Sequence, residues 1–83
     1  MSQKVIVYST TWCDYCHALM DWLDQIRVPY EERDAELQEH HTFLEEQLGD
    51  DFEGVPVILV GDVIINGFDR PKIIKALEKA GLK

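Results

Sequence analysis

The chain has 83 residues, of which 46% are hydrophobic and 10% aromatic. That length suits a single domain over residues 1–83, and the apolar content fills one core, which excludes disorder as the main state. Sixteen acidic residues against eight Lys and Arg give a formal net charge of −8. A surface this acidic repels phosphate groups, so the charge argues against nucleic acid and anionic lipid as partners.

The sequence contains no segment that suggests a membrane or secreted protein. No apolar run approaches the roughly 18 residues that a membrane-spanning helix needs. The start of the chain, from Met1 to Cys13, lacks the architecture of a signal peptide. We therefore expect a cytoplasmic protein with no membrane partner.

The first half of the chain predicts two strands and two helices. Lys4 to Ser9 reads as a buried strand of β-branched and aromatic residues. A helix is predicted from near Cys13 to a point before Pro29, because apolar residues recur there at helical spacing. Its predicted apolar face consists of Tyr15, Ala18, Leu19, Trp22 and Ile26. A second helix is predicted from Glu36 to Leu48. Residues 30–34 are predicted as the second strand, because a strand between the two helices completes a β-α-β unit.

The second helix and the rest of the chain complete a β-α-β-α-β-β-α order. Leu37, Leu44 and Leu48 form the apolar stripe of the helix, and Gly49 ends it. Two apolar runs, residues 57–60 and 63–65, are joined by a two-residue turn, which predicts an antiparallel hairpin. After the break at Asn66 and Gly67, Asp69 is the expected N-cap of a third helix that runs to Gly81. The predicted apolar positions of this helix are Ile73, Ile74, Leu77 and Ala80.

The cysteines, Cys13 and Cys16, lie three positions apart between a predicted strand and a predicted helix. A secreted domain held by disulfides would need more cysteines, spread along the chain. At a helix N-terminus, free backbone N–H groups and the helix dipole favour a thiolate, so we expect a lowered pKa and an exposed sulfur for Cys13. Cys16 lies one turn further along the helix and is the expected resolving thiol.

A zinc site is the main alternative for a pair of cysteines. Zinc takes four nitrogen or sulfur ligands, usually from two separated pairs. The chain adds His17, His40 and His41, but the last two lie beside the apolar stripe of the second helix, where a partly buried histidine is ordinary. The ligand count therefore favours redox chemistry, and no metal site is predicted.

Three motifs, in their order and spacing, resemble the glutaredoxin family. They are Thr10-Thr11-Trp12-Cys13-Asp14-Tyr15-Cys16, Val55-Pro56 and Asn66-Gly67-Phe68-Asp69. The resemblance spans nearly the whole chain. It implies an α/β, thioredoxin-like fold, with a mixed four-stranded sheet and helices on both faces. It also implies a thiol-disulfide oxidoreductase, acting in electron transport and cell redox homeostasis, and a cis Val55-Pro56 bond.

The resemblance also implies where a substrate binds. A cis proline leaves the backbone groups of Val55 free to pair with an extended substrate. The backbone N–H groups of Phe68 and Asp69, at a helix N-terminus, would take a carboxylate of glutathione. The expected substrate-binding residues are Thr11, Trp12, Tyr15, Val55, Pro56, Gly67, Phe68 and Asp69. No bound cofactor is expected, and glutathione or another low-molecular-weight thiol is the expected co-substrate.

The chain departs from the glutaredoxin pattern near the expected site. Asp14 replaces a proline, which should raise the pKa of Cys13 relative to a proline variant, and Asn66 replaces a glycine. Thr10 stands where glutaredoxins often have a lysine. Residues 31–53 hold ten acidic residues against one basic residue, and the acids just before Gly54 should weaken the capture of glutathione. A solvated helix face is the simplest interpretation of the acidic segment, and a role in choosing partners is the alternative.

These departures leave the reductant open between glutathione and thioredoxin reductase. Thioredoxin reductase serves the glutaredoxin-like electron donors of ribonucleotide reductase, which the chain resembles along with mycoredoxin-like proteins. A dimeric iron–sulfur cluster carrier is a further alternative, because loss of the proline permits it. The primary expectation is a monomer that reduces disulfide-containing proteins or glutathione mixed disulfides.

Overall fold

Four strands and three helices make up the fold in the computed structural model, which describes residues 4–52 and 54–82. The strands are β1 (Val5–Ser9), β2 (Glu31–Asp34), β3 (Val57–Val60) and β4 (Val63–Asn66). The helices are α1 (Asp14–Gln25), α2 (Gln38–Leu48) and α3 (Arg70–Lys79), with a short 3-10 turn at Gly49–Asp51. The strand order is β2-β1-β3-β4, parallel between β1 and β2 and antiparallel elsewhere. The predicted element order and mixed sheet are confirmed.

Helices cover both faces of the sheet, as predicted. Successive side chains of β1 point to opposite faces. Val5 and Val7 pack in one core with residues of α1 and α3, whereas Ile6 and Tyr8 pack in the other with Leu44 of α2. All five residues of β1 are buried. Strand β1 therefore contributes to both cores. This packing fixes the position of its carboxyl end and of the loop that follows.

The buried face of α1 differs from the predicted one. Tyr15 is 72% exposed and Ala18 is also exposed, so this part of the predicted stripe is wrong. A neighbouring stripe at the same helical spacing is buried instead, because the second cysteine of the pair turns into the core. Its residues are Cys16, Leu19, Met20 and Leu23.

Helix α2 begins at Gln38 rather than at Glu36. The side chain of Asp34 accepts a hydrogen bond from the Glu36 backbone N–H at 2.9 Å, which holds these residues in a turn before the helix. Leu37 is the N-cap and is 49% exposed, so its predicted place on the apolar stripe is wrong. The helix ends at Leu48, and Gly49 stops it as predicted, with a φ of +55°.

The C-terminal half matches its predictions closely. The hairpin turns at Gly61-Asp62, and β4 includes Asn66, which pairs with Val57 instead of breaking the sheet. Asp69 caps α3, and its carboxylate accepts a hydrogen bond from the Lys72 backbone N–H at 3.2 Å. Over the part of the chain that the structure describes, no helix is both long and apolar enough to cross a membrane.

Candidate active site

The two cysteines lie where β1 leads into α1. Cys13 is the N-cap of α1 in an extended conformation, and its Sγ accepts a hydrogen bond from the Cys16 backbone N–H at 3.1 Å. The two sulfurs form a disulfide, with the Cα atoms 5.3 Å apart. The helix N-terminus thus presents an N–H donor and the positive end of its dipole to Cys13 Sγ, where both favour a thiolate after reduction.

The burial of the two cysteines corrects one prediction. Cys13 is only 6% exposed, so the expectation of an exposed sulfur is wrong for this oxidised state. Its Sγ is turned toward Cys16 by the disulfide, and both residues belong to the core between the sheet and α1. Cys16 is 0% exposed. Of the two sulfurs, Cys13 Sγ is therefore the one nearer to the surface.

The residues that flank the cysteines point outward. Asp14 is the first residue of α1, and both it and His17 are exposed. The effect of Asp14 on the pKa of Cys13 stays a prediction. Trp12 is 69% exposed, and Thr11 beside it is exposed as well.

The other two histidines, His40 and His41, lie on α2. His40 Nδ1 is 2.9 Å from the backbone oxygen of Asp34, and His41 Nδ1 is 3.1 Å from a carboxylate oxygen of Glu45. Within residues 4–52 and 54–82, no group of three or more His, Cys, Asp or Glu residues could hold a metal ion.

Asn66 and Gly67 hold the Val55-Pro56 segment in place. The Val55-Pro56 bond is cis, as the resemblance implied. The Gly67 backbone N–H donates to the Pro56 oxygen at 2.8 Å. The Asn66 side-chain amide donates to the backbone oxygens of Gly54 at 2.7 Å and Pro56 at 3.2 Å. This role of Asn66 was not predicted from the sequence, although its departure from the family's glycine was a signal.

A mostly apolar cleft of about 220 Å³ lies beside the disulfide. It brings together Trp12 and Val55, two of the predicted substrate-binding residues, and Tyr15 does not line it. A larger cleft of about 280 Å³ contains Lys4 and Leu82, at the opposite end of β1 from Cys13. Of these two clefts, the smaller one contains Trp12, the residue next to Cys13 in the sequence. Its lining residues are Thr10, Trp12, Ala35, Glu36, His41, Phe52, Gly54 and Val55.

The third motif forms the start of α3. Gly67 has a φ of +108°, a left-handed conformation that favours glycine. Phe68 is half-buried and packs against Trp22, with ring centroids 5.8 Å apart, and the Arg70 guanidinium lies 5.3 Å from the centre of the Phe68 ring. The Arg70 cation therefore lies against the aromatic rings of Phe68 and Trp22.

A third cleft, of about 230 Å³, begins at the end of β1 and contains Thr11. Thr10 lines this cleft and the apolar cleft that contains Trp12. It is 6% exposed and carries a buried hydroxyl oxygen without a hydrogen-bond partner among the described residues. Glu32 and Asp34 also line the third cleft. The position three residues before Cys13 is thus a neutral, buried threonine on a cleft that contains two carboxylates.

Comparison with known proteins assigns the family. A family model described as glutaredoxin matches residues 5–65, which include both cysteines, the cis proline and the hairpin except for Asn66. The chain belongs to the glutaredoxin family. The glutaredoxin fold and its Cys-x-x-Cys pair are the arrangement of a thiol-disulfide oxidoreductase. A comparison with proteins of curated function found no match.

Solved structures share the fold of this glutaredoxin-family chain. Oxidised glutaredoxin 2 from Chlamydomonas reinhardtii is 27% identical, with a TM-score of 0.72 over 98% of this chain and 85% of its own. A buckwheat glutaredoxin–glutathione complex is 22% identical, with a TM-score of 0.74 over 96% and 81%. The glutaredoxin-like protein NrdH-redoxin from Escherichia coli is 21% identical, with a TM-score of 0.73 over 87% and 92%. At identities below 25%, the last two show the fold alone.

Proposed function

We propose that the chain is a dithiol-disulfide oxidoreductase that reduces protein disulfides through Cys13 and Cys16. The observation that carries the proposal is the disulfide itself, formed at the N-terminus of α1 with Cys16 fully buried and Cys13 at the edge of the core. A substrate sulfur reaches Cys13 Sγ first, because Cys16 is closed off from solvent. Cys13 is therefore the nucleophile and Cys16 the resolving residue.

The reaction consists of two thiol-disulfide exchanges. The Cys13 thiolate attacks one sulfur of the substrate disulfide, forms a mixed disulfide, and releases the other sulfur as a thiolate that takes a proton from water. Cys16 then loses its proton and attacks Cys13 Sγ. This step forms the Cys13–Cys16 disulfide and releases the second substrate sulfur as a thiol. The substrate gains two electrons and two protons. The enzyme supplies both electrons and the Cys16 proton, and water supplies the other proton because Cys13 starts as the thiolate.

Val55 and Trp12 are the proposed positioning residues for the substrate. They share the apolar cleft beside the disulfide. In the described part of the chain, the Val55 backbone N–H and oxygen take part in no hydrogen bond. Both groups are thus available to pair with an extended substrate segment, as an added strand would. Asn66 and Gly67 keep this segment in register with the start of α3.

Thioredoxin reductase is the proposed source of electrons, in preference to glutathione. The buckwheat relative is solved as a complex with glutathione, whereas NrdH-redoxin has a thioredoxin-like activity profile. Glutathione carries two carboxylates, and the clefts next to the disulfide contain Glu32, Asp34 and Glu36. Like charges disfavour the encounter and weaken the bound complex. The acidic clefts therefore support the thioredoxin-like alternative.

The test is NADPH oxidation with an insulin or peptide disulfide as the final acceptor. We expect turnover with thioredoxin reductase, and turnover at least about tenfold lower with glutathione and glutathione reductase. Cys13→Ser should abolish turnover, and Cys16→Ser should accumulate a mixed disulfide that mass spectrometry detects. Turnover by Cys13→Ser would overturn the mechanism, and turnover with glutathione alone would overturn the proposed reductant.

A separate observation distinguishes the iron–sulfur alternative. A dimeric cluster carrier would purify with visible charge-transfer absorbance that Cys13→Ser removes. Such absorbance, together with an absence of disulfide reduction by the wild type, would replace the oxidoreductase with a carrier. We expect a colourless protein that catalyses disulfide reduction.

A further inference from the structure

The cleft at the end of β1 and β2 has the chemistry of a cation site. We propose that it binds a lysine or arginine side chain of the substrate protein, so that the chain selects disulfides with a basic residue near the reactive cysteine. This inference rests on the proposed function and names its substrate class. The lining residues are Ser9, Thr10, Thr11, Glu32 and Asp34, around a volume of about 230 Å³.

The sheet places this cleft next to the disulfide. Because β1 and β2 are parallel, their carboxyl ends lie at the same edge, and Ser9 is in register with Asp34. The chain then continues through Thr10 and Thr11 toward Cys13. Thr11 is two residues from Cys13, so the two lie within about 7 Å of each other. A side chain in the cleft can therefore belong to a molecule whose own cysteine lies at Cys13 Sγ.

Two carboxylates in the cleft lack a neutralising partner. Glu32 and Asp34 are two positions apart on β2, so they share one face of the strand. Arg33 between them hydrogen-bonds Tyr8 and Glu31 instead. Across residues 4–52 and 54–82, neither Glu32 nor Asp34 forms an ion pair with a basic residue.

Each carboxylate is nevertheless held in place by the protein. Glu32 accepts a hydrogen bond from the Ser9 hydroxyl at 2.8 Å. Asp34 accepts one from the Glu36 backbone N–H at 2.9 Å. A carboxylate has about four acceptor positions, so each retains capacity for the N–H donors of a ligand. The site is thus positioned before the ligand arrives.

Thr10 provides evidence for a ligand that is independent of the two carboxylates. The residue is 6% exposed, and its hydroxyl oxygen is buried without a hydrogen-bond partner in the described part of the structure. Buried polar groups in proteins are nearly always paired. An ammonium or guanidinium group that binds Glu32 and Asp34 would lie beside Thr10, and rotation of the Thr10 side chain toward the cleft would give its hydroxyl a partner. An anion would meet two like charges there, so the charge of the site selects a cation.

A protein, rather than a small cationic thiol, is the proposed source of the cation. Thr10 is shared between this cleft and the apolar cleft that contains Trp12 and Val55. An extended peptide can place a basic side chain in one cleft and an apolar side chain in the other while its cysteine lies at Cys13. A small thiol would fill only one of the two.

The experiment compares peptides that differ at one position. Each peptide carries one disulfide, with lysine, norleucine or glutamate placed in turn at each of the three positions on either side of the reactive cysteine. Reduction is followed with thioredoxin reductase and NADPH. At the best position we expect kcat/KM to be about fivefold higher for lysine than for norleucine, mainly through KM, and the preference to fall with added salt. Cystamine, a small dication, should show a smaller preference over hydroxyethyl disulfide.

A charge-matched pair of variants tests the assignment. Glu32→Gln with Asp34→Asn keeps the acceptor oxygens for Ser9 and Glu36 but removes two charges, and should reduce the lysine preference below about twofold. Glu46→Gln with Glu78→Gln removes two exposed charges elsewhere and should keep the preference. Equal rates for lysine and norleucine at every position, or a preference that survives in the cleft variant, would overturn the proposal.

A binding measurement separates this proposal from the proposed function. Lysine and norleucine peptides with serine in place of cysteine cannot react, and their binding is followed by NMR at the amides of Thr10, Glu32 and Asp34. Tighter binding of the lysine peptide without disulfide turnover would refute only the oxidoreductase. Turnover without this difference in binding would refute only the cation site. If the double variant fails to fold, Glu32→Gln alone provides the same comparison.

Discussion

The hydrogen bonds from the Asn66 side chain to the Val55-Pro56 segment predict a measurable loss of stability when this side chain is removed. The Asn66 amide donates to Gly54 and Pro56 at 2.7 and 3.2 Å. Each hydrogen bond contributes about 0.5–1.5 kcal/mol net. Pro56 keeps a second donor, the Gly67 N–H, whereas Gly54 loses the side-chain donor. We therefore expect Asn66→Ala to lower the free energy of unfolding by about 2 kcal/mol, which lowers Tm by roughly 10 °C in a chain of this size.

Urea unfolding of the oxidised protein measures this loss, and disulfide reduction measured on the same sample reports the alignment of Val55. We expect kcat/KM to fall together with the stability. Gln38→Ala is the matched control, because it removes an exposed amide hydrogen bond to Thr42 and should cost under about 0.5 kcal/mol. A loss below about 0.5 kcal/mol for Asn66→Ala would refute the reasoning.

Two further predictions concern the second core and the response to alkali. Leu44→Ala should lower the free energy of unfolding by about 2–5 kcal/mol, because Leu44 is 0% exposed, and urea unfolding measures this loss. Leu37→Ala, at an exposed position, should lower it by less than about 1 kcal/mol. Similar losses for the two variants would contradict the packing of α2. Burial, and then the nearby acids led by Asp24, raise the pKa of Tyr30 above its usual value of 10.0. The Tyr30 phenol therefore ionises at lower pH in the unfolded state than in the folded state, and the free energy of unfolding falls as pH rises through about 10 toward the folded pKa. Tyr30→Phe should weaken this fall. The same dependence of the free energy of unfolding on pH in wild type and variant would contradict the prediction.

Much of the fold was predictable because local signals agreed with the final packing. The hairpin has two apolar runs and a Gly-Asp turn, which together leave one pairing register. The N-cap at Asp69 and the stop at Gly49 come from residue types with specific backbone roles. Strand β2 contains only charged residues, and its prediction depended on the β-α-β context alone.

The parts that sequence reasoning missed depend on contacts between distant segments. Two stripes on α1 have the same helical spacing, and only the packing of Cys16 under the sheet decides which one is buried. The links from Asn66 to Gly54 and Pro56 span 12 and 10 positions, and no local pattern encodes them. The burial of the Thr10 hydroxyl likewise depends on the two clefts that meet around it, which are lined by residues from separate parts of the chain.

The charged edge strand has a consequence for how copies of this chain meet. β2 ends the sheet on one side, and its four residues are Glu31, Glu32, Arg33 and Asp34. Two copies that joined their sheets through this edge would bring three acids on each strand against the same three on the other. The repulsion opposes intermolecular strand pairing and the aggregation that follows from it. The carboxylates at this edge thus disfavour pairing with a second copy and favour a partner of opposite charge at the cleft beside them.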